Sequence, residues 1–534
     1  MKLTFIGACH EVTGSCFLLQ FDHFNILIDA GMKQGTGDFV SIPLPIKPAD
    51  IDYIFLTHAH IDHSGNIPYL YKHGFRGTVI CTHGTKELCN IMLKDSAYIQ
   101  MSDAAWINKH NERSGKEKVE PLYTIEDVEG VLKLFESYDY NETICIHPNL
   151  HLDFFDAGHL LGSASIRICM GDIRGEFTSI IFSGDIGNEN QPLIKNPTYP
   201  DYADYIVMES TYGNRLHEKP KDYVSLLASI IQKTFDRGGD LIIPSFAVGR
   251  AQELLYFIRE IKERNLIKNH DNFKVYLDSP LANEATEIYD KRALSYCNSE
   301  TAALINNGIN PIIFDGLVRT TSVLDSKAIS ANENPKIIIS AAGMCDAGRI
   351  RHHLKHNLWK SECTVMFVGY QAVGTLGRII LDGATKVKIF GEEIKVSAEI
   401  IQFPGISAHA DSCGLIKWID ALSVKPKKVF VVHGDDDSAT FFCHRLMDEY
   451  GLNAIAPYSG TEYNLLTDEV ECTGTLEKIP VTNSNTNSYS KAFSKLLDAY
   501  ENLGEVVNMY EFAANKDIEK FSMQISDLSQ RWED

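Results

Sequence analysis

Short apolar runs separated by polar breaks fill the first half of the chain: KLTFIGA, SCFLLQF, FNILIDAG, DYIFLTHAH, GTVICT, ETICIHP, LHLDFFDAGH, SASIRICM, TSIIFSGDIG and ADYIVMES. Runs of this length, rich in β-branched and aromatic residues, predict strands, and their number predicts a sheet-rich layer. Helical spacing interrupts them at about 84–100 (GTKELCNIMLKDSAYIQ) and about 124–139 (TIEDVEGVLKLFESYD), the second opening on a Thr-x-x-Asp capping sequence. The polar stretch 108–120 (NKHNERSGKEKVE) predicts a surface excursion. From about 220 the rhythm changes to helix–strand units such as YVSLLASIIQKTFDRG then DLIIPSFA, and AQELLYFIREIKER then FKVYLD. Strands spaced by helices of this length predict a parallel sheet with right-handed crossovers. The strand-rich style returns near 388 with KIFGEEIKVSAEIIQF and KKVFVVHGD, so one domain is read as interrupted by another. Residues 469–534 read as a Ser/Thr/Asn-rich linker (VTNSNTNSYS) followed by a helical tail.

The chain has 534 residues, 50 Lys+Arg and 71 Asp+Glu, a formal balance of 50 − 71 = −21. At roughly 150 residues per domain this favours two or three domains with a sizeable core. Twelve cysteines are scattered with no CxxC pair and read as reduced core thiols. No 18-residue apolar run occurs, and the start MKLTFIGACHEVTGSC lacks the charged, apolar and cleavage regions of a leader, so the expected compartment is the cytoplasm, without a membrane span. The acidic total argues against a surface that binds nucleic acid all over, because that affinity comes from Lys and Arg displacing counterions. A local basic groove stays open.

The sharpest chemical signal is His58-Ala-His60-Ile-Asp62-His63, directly after the apolar run IDYIFLT. Imidazole and carboxylate suit zinc, and four such groups within six residues at a strand end can face one cavity. In extended geometry His58, His60 and Asp62 point the same way. Because these groups cannot all serve one tetrahedral ion unless the chain bends tightly, they divide more readily between two metals. Three further strand ends run into ligand-type residues: His159 after FFDAG, Asp185 after IIFSG, and His433 after VFVV.

With these residues in place the sequence resembles the metallo-β-lactamase superfamily over nearly all of 1–468. The resemblance implies an α/β fold, an αββα sandwich over 1–208 plus 388–468, with 209–387 as an inserted beta-CASP domain built on a parallel sheet flanked by helices. Matches to that branch are ESTYGN at 209–214, IPSFAVGRAQELL at 243–255, DSPLA at 278–282, SAAGMCDAGRIRHHL at 340–354 and GYQAVGTLGR at 369–378. By the resemblance His58, His60 and His159 bind one zinc, Asp62, His63 and His433 bind a second, and Asp185 bridges them. Asp29 is the outer aspartate that orients the histidine loop. Two zincs per chain then share a hydroxide as nucleophile, with Mn2+ a candidate substitute. Glu209 fits the branch's acidic motif A, His409 motif B and His433 motif C, where a histidine accompanies RNA-processing members. Asp62, Glu209 and His409 are the expected catalytic residues, His409 as general acid held by Glu209.

The function so implied is a zinc-dependent ribonuclease on single-stranded RNA, endonucleolytic, 5′–3′ exonucleolytic or both, similar to the polyadenylation-cleavage nuclease subunit and ribonuclease J. Two other readings stay open: a small-molecule metallo-hydrolase, against which the large insertion argues, and a non-catalytic RNA-binding subunit, against which the complete ligand set argues. Candidate phosphate contacts are Ser245 and Arg250 at a helix start after LIIPSFA, Arg349 and Arg351 in the basic stretch GRIRHHLKHNLWK, and Arg378 in GTLGR. The tail is a candidate homodimer contact.

Overall fold

The computed structural model describes residues 1–34, 39–172, 175–217, 222–372, 374–404, 407–475, 477–478, 503 and 515–530. The chain forms two compact units, Met1–Lys478 and Ile479–Asp534.

Three main sheets organise the first unit. One has eight strands in the spatial order Glu469–Cys472, Glu462–Asn464, Lys2–Gly7, Cys16–Phe21, Phe24–Ile28, Tyr53–Phe55, Thr78–Thr82 and Phe135–Tyr138. A seven-stranded sheet runs Ala454–Ile455, Lys428–Val432, Tyr205–Glu209, Phe177–Phe182, Ala164–Gly171, Leu150–Asp156 and Thr143–His147. Alternation turns Leu3, Phe5, Phe17, Leu19, Ile26 and Ile28 of the first sheet inward against Phe154, Ile166, Ile168, Phe182, Val207 and Phe430 of the second, which forms one closed core between them. Helices cover both outer faces: Ile67–Lys72, His83–Ser114 and Ile125–Val131 on one, Ser412–Asp420 and Asp436–Asp448 on the other. This is the expected αββα sandwich.

The third sheet has six strands, all parallel, in the order Leu317–Arg319, Val275–Leu277, Ile337–Ser340, Leu241–Pro244, Thr364–Phe367 and Glu399–Gln402. Near-continuous apolar strands such as LIIP and IIIS are buried on both faces by helices, as a parallel sheet requires. Hydrogen bonding carries this sheet to Gln402, past the boundary expected near 388. The run KIFGEEIK is a separate two-stranded ribbon, Lys386–Ile389 with Glu392–Lys395, and AEIIQ is the sixth strand of the parallel sheet.

Three local expectations are corrected. The helix from His83 runs to Ser114, so much of the polar stretch 108–120 is a solvated helix face, and it stops at Gly115 with φ 67°, a left-handed cap. The segment 124–139 is helical only to Val131; Phe135–Tyr138 is an edge strand paired with Thr78–Thr82. The Thr124 capping box is present as expected. All twelve cysteines are free, and Cys145, Cys413 and Cys472 are exposed instead of lying in the core. Among the described residues no helix is long and apolar enough to cross a membrane. In the second unit a helix spans Asn515–Gln530, while the VTNSNTNSYS stretch lies outside the described residues.

Candidate active site

The carboxyl ends of strands from both sheets of the sandwich deliver the ligand-type side chains to one place. After Tyr53–Phe55 the chain presents His58 and His60, then turns into the single helical turn Ile61–Ser64. That turn replaces the extended continuation expected through Asp62. It leaves the His63 ring 4.0 Å from that of His58 but aims its Nε2 at His433, while His58 Nε2 meets His60 and both rings reach Asp185. The bend is fixed by backbone hydrogen bonds to a neighbouring loop: Ser15 N–H to the Asp62 carbonyl at 2.8 Å, Ala30 N–H to His63 at 2.8 Å, and Met32 N–H to Ile61 at 2.9 Å. Gly31 makes this close approach feasible, since a Cβ there would stand 1.7 Å from the Asp62 carbonyl oxygen.

Two clusters result. His58, His60, His159 and Asp185 form one, and Asp62, His63 and His433 the other, each with ligand atoms within 4.8 Å of one another. In the first, His60 Nδ1 lies 3.1 Å from His58 Nε2 and 3.2 Å from His159 Nε2, and Asp185 Oδ2 lies 3.3 Å from His58 Nε2. In the second, His63 Nε2 is 3.1 Å from His433 Nε2 and 3.2 Å from Asp185 Oδ1, with Asp62 Oδ2 3.7 Å from His433 Nε2. Asp185 therefore touches both clusters.

The outer nitrogens fix which lone pairs face inward. His63 Nδ1 donates to Asp29 Oδ2 at 2.7 Å, and Asp29 also accepts from the Thr57 N–H at 2.8 Å and from Thr57 Oγ1 at 2.9 Å. Because Thr57 Oγ1 donates to Asp29, it accepts from His58 Nδ1 at 3.1 Å. His159 Nδ1 donates to the Ala408 carbonyl at 3.2 Å. Thr211 Oγ1 donates to the His433 carbonyl and accepts from His433 Nδ1 at 3.2 Å. Each of these four rings turns Nε2 into the cluster, the tautomer a metal ligand needs. Burial opposes charge on His63, but Asp185 and Asp29 outweigh it and hold the ring well above the usual imidazole range, so a metal there would displace a proton from Nε2. Thr57 and Thr211 were not singled out from sequence; their only signal was adjacency to HAHIDH and to Glu209.

The donor chemistry fits metal binding. Five imidazoles and two carboxylates converge within metal-ligand reach, and Asp185 Oδ1 is buried with no hydrogen-bond partner among the described residues. Burial, followed by His58, drives His60 down to about 3, so its ring is neutral and able to ligate.

His409 stands beside the first cluster. Its Nδ1 faces both oxygens of Glu209 at 3.2 and 3.1 Å, while Nε2 is 3.9 Å from Asp185 Oδ2. Glu209 is itself buried and accepts from the Ile186 N–H at 2.5 Å, so motif A, the Asp185 loop and His409 are tied together. Gly187 pairs with His409 in an isolated bridge that holds the histidine loop in register. Burial opposes charge on His409, but Glu209 and then Asp185 outweigh it and hold the ring up at about 9.

The residues expected to grip phosphate are not gathered here. Arg250 is buried and pairs with Glu253 one turn on, and the Gly249 N–H at the helix start is taken by Gln252. Ser245 Oγ donates to the Phe246 carbonyl. Arg349 joins His353 on the buried Asp278, both at 2.7 Å. Arg378, on the short helix Leu376–Leu381, pairs with Asp382 just past its end, and Arg351 packs over Phe390. Arg250 and Arg349 thus have their charge met by buried carboxylates within the insertion.

Comparison with known proteins gives the family of the chain. The description "Metallo-beta-lactamase superfamily" matches residues 11–203, "Beta-Casp domain" matches 251–380, and "Zn-dependent metallo-hydrolase RNA specificity domain" matches 393–457. Ribonuclease TTHA0252 of Thermus thermophilus is 34% identical over 438 residues, covering 82% of this chain and 94% of that protein. Transcription termination factor FttA of Methanosarcina mazei is 32% identical, over 82% of this chain and 67% of its own length. An RNase J-like protein of Methanocaldococcus jannaschii is 30% identical, over 86% and 98%. With sandwich, insertion and histidine cluster all in place, the chain belongs to the metallo-β-lactamase superfamily, in its beta-CASP branch.

Proposed function

We propose that this chain is a two-zinc ribonuclease that hydrolyses phosphodiester bonds of single-stranded RNA in the cytoplasm. The observation that carries the reading is the pair of ligand clusters meeting on Asp185, with His409 at their edge. The names of the relatives, two of them ribonucleases by title, support RNA as the substrate.

His58, His60 and His159 would hold one ion, Asp62, His63 and His433 the other, and Asp185 both. Zinc bound there supplies Lewis acidity toward the phosphoryl oxygens and a water acidic enough to lose its proton near neutral pH. The protein's own contribution is orientation. Asp29, Thr57, Thr211 and the Ala408 carbonyl hold the rings so that no reorganisation is needed when substrate arrives. His409, fixed through Nδ1 by Glu209, offers Nε2 as the proton donor to the departing oxygen.

The test uses purified protein with bound zinc and two matched single-stranded RNAs, one labelled at a 5′-monophosphate end, the other labelled internally with both ends blocked. Wild type is expected to cut, and an Asp62→Ala, His63→Ala variant to cut neither. Cleavage of the blocked RNA identifies endonucleolytic action; release from the 5′ end alone identifies exonucleolytic action. Two intact RNAs beside fully loaded protein contradict the proposal.

A further inference from the structure

The insertion holds a second polar feature, a cavity of about 410 Å3 whose wall includes Arg351, Lys386, Lys388 and Asp346. Its cations come from two elements, the helix Ile350–Asn357 and the ribbon Lys386–Ile389/Glu392–Lys395. Strand alternation buries Val387 and Ile389 and leaves Lys386 and Lys388 exposed on one face. Directly across the ribbon Lys386 faces Lys395, and Lys388 faces Glu393. A like-charge pair at that position costs stability. In a chain with 71 acids to 50 bases, a face that concentrates lysine against that cost is a functional signal.

The local acids do not cancel it. Lys386 reaches Glu393 at 2.7 Å, but both ends are exposed and such pairs are weak. Asp346, held by the Leu376 N–H at 2.9 Å, is one carboxylate against the three cations of the wall. Arg351 donates to the Asp346 carbonyl at 3.3 Å, lies 4.6 Å over the Phe390 ring, and has a buried Nε with no hydrogen-bond partner among the described residues. A guanidinium lining the same cavity as two lysines is a donor set for a phosphate oxygen.

A chain of contacts links this cavity to the histidine cluster. Gly377 N–H donates to the Met344 carbonyl at 3.0 Å, and Gln371 Nε2 donates to the Gly343 carbonyl at 3.2 Å. A Cβ at Gly343 would stand 3.2 Å from the Phe246 ring. Gly249 lies against Tyr289, whose hydroxyl oxygen accepts the Leu161 N–H at 3.3 Å, two residues beyond His159. Along this route Phe246 and Tyr370 are 49% and 50% exposed. Both follow neighbouring strands, Leu241–Pro244 and Thr364–Phe367, at the end of the sheet where crossovers depart in opposite directions, the usual crevice of a parallel sheet. Exposed rings beside a cationic wall match single-stranded nucleic acid, whose bases stack while its phosphates pair with cations.

We propose that Arg351, Lys386 and Lys388 form an auxiliary site for backbone phosphates of single-stranded RNA remote from the scissile bond, with Phe246 and Tyr370 stacking the intervening bases. The choice of RNA over another polyanion rests on the ribonuclease reading above.

The test compares zinc-loaded wild type with Lys386→Ala, Lys388→Ala, two exposed positions outside the candidate active site. Fluorescence anisotropy follows labelled single-stranded RNAs of about 5 and about 20 nucleotides, below and above the span of one such groove. Expected is a roughly tenfold loss of affinity for the longer RNA, with the slope of log K against log salt falling by about 1.4, two phosphates at ~0.7 each. Binding and cleavage of the shorter RNA stay unchanged. Unaltered affinity and slope for the longer RNA overturn the site, as does an equal loss for both lengths. Loss of a polyglutamate probe with RNA binding intact also overturns it in favour of an acidic protein partner. Lysine-dependent binding of the longer RNA without any cleavage sustains the site and contradicts the ribonuclease reading instead.

Discussion

Each imidazole with its outer nitrogen engaged has only one way to face inward, and this decides what single substitutions do. Asp185 reaches both clusters and carries a buried oxygen with no hydrogen-bond partner among the described residues, so its carboxylate is the group both ions would share. Asp185→Ala is expected to lose bound zinc and activity together, measured as metal content and RNA cleavage on the same sample; retention of two zincs removes the bridging role. His409 differs, because its contacts are Glu209 and the edge of the cluster. His409→Ala is expected to keep both zincs and slow cleavage by roughly 10²-fold or more. An unchanged rate makes His409 a structural residue.

Among elements, the loop Ala30–Met32 matters because it is stitched to the helical turn Ile61–Ser64 and leaves no room for a side chain at Gly31. Gly31→Ala is expected to displace Asp62 and His63 and to weaken zinc by roughly 10- to 100-fold, as loss of an orienting contact does. Competition with a chelator reads this, and unchanged affinity shows that the loop yields without moving the ligands. Strand ends were legible because an apolar run stopping at His or Asp is a local pattern: His58, Asp185 and His433 all lie where such runs end. Pairing at a distance was not. Phe135–Tyr138 carries helical spacing yet forms a strand, because Thr78–Thr82 offers it a sheet edge. Glu399–Gln402 belongs to the parallel sheet because Thr364–Phe367 receives it. The acidic partners of three phosphate candidates were likewise not read from the sequence. Glu253 and Asp382 sit within a turn of Arg250 and Arg378, and Asp278 meets Arg349 across 71 positions of sequence.

At the scale of the whole molecule, an acidic chain of net charge −21 acts on a polyanion only if its cations are gathered locally. The sandwich brings its ligand-type side chains to one end from segments as distant as His58 and His433, and the insertion supplies exposed aromatic rings after two strands of its parallel sheet and lysines on the separate ribbon Lys386–Ile389/Glu392–Lys395. That division of labour was visible in outline from the change of rhythm near 220, although its far limit was not, since the ribbon and the last parallel strand share the strand-rich style of the sandwich. The central claim, that RNA is cut by a site completed by two metals, is tested most directly by stripping the protein with a chelator, returning zinc in measured steps, and following cleavage of single-stranded RNA against zinc bound. The account predicts negligible cleavage in the stripped protein and activity that rises as occupancy approaches two per chain. Full cleavage by protein carrying no metal, or complete by the first equivalent, contradicts it.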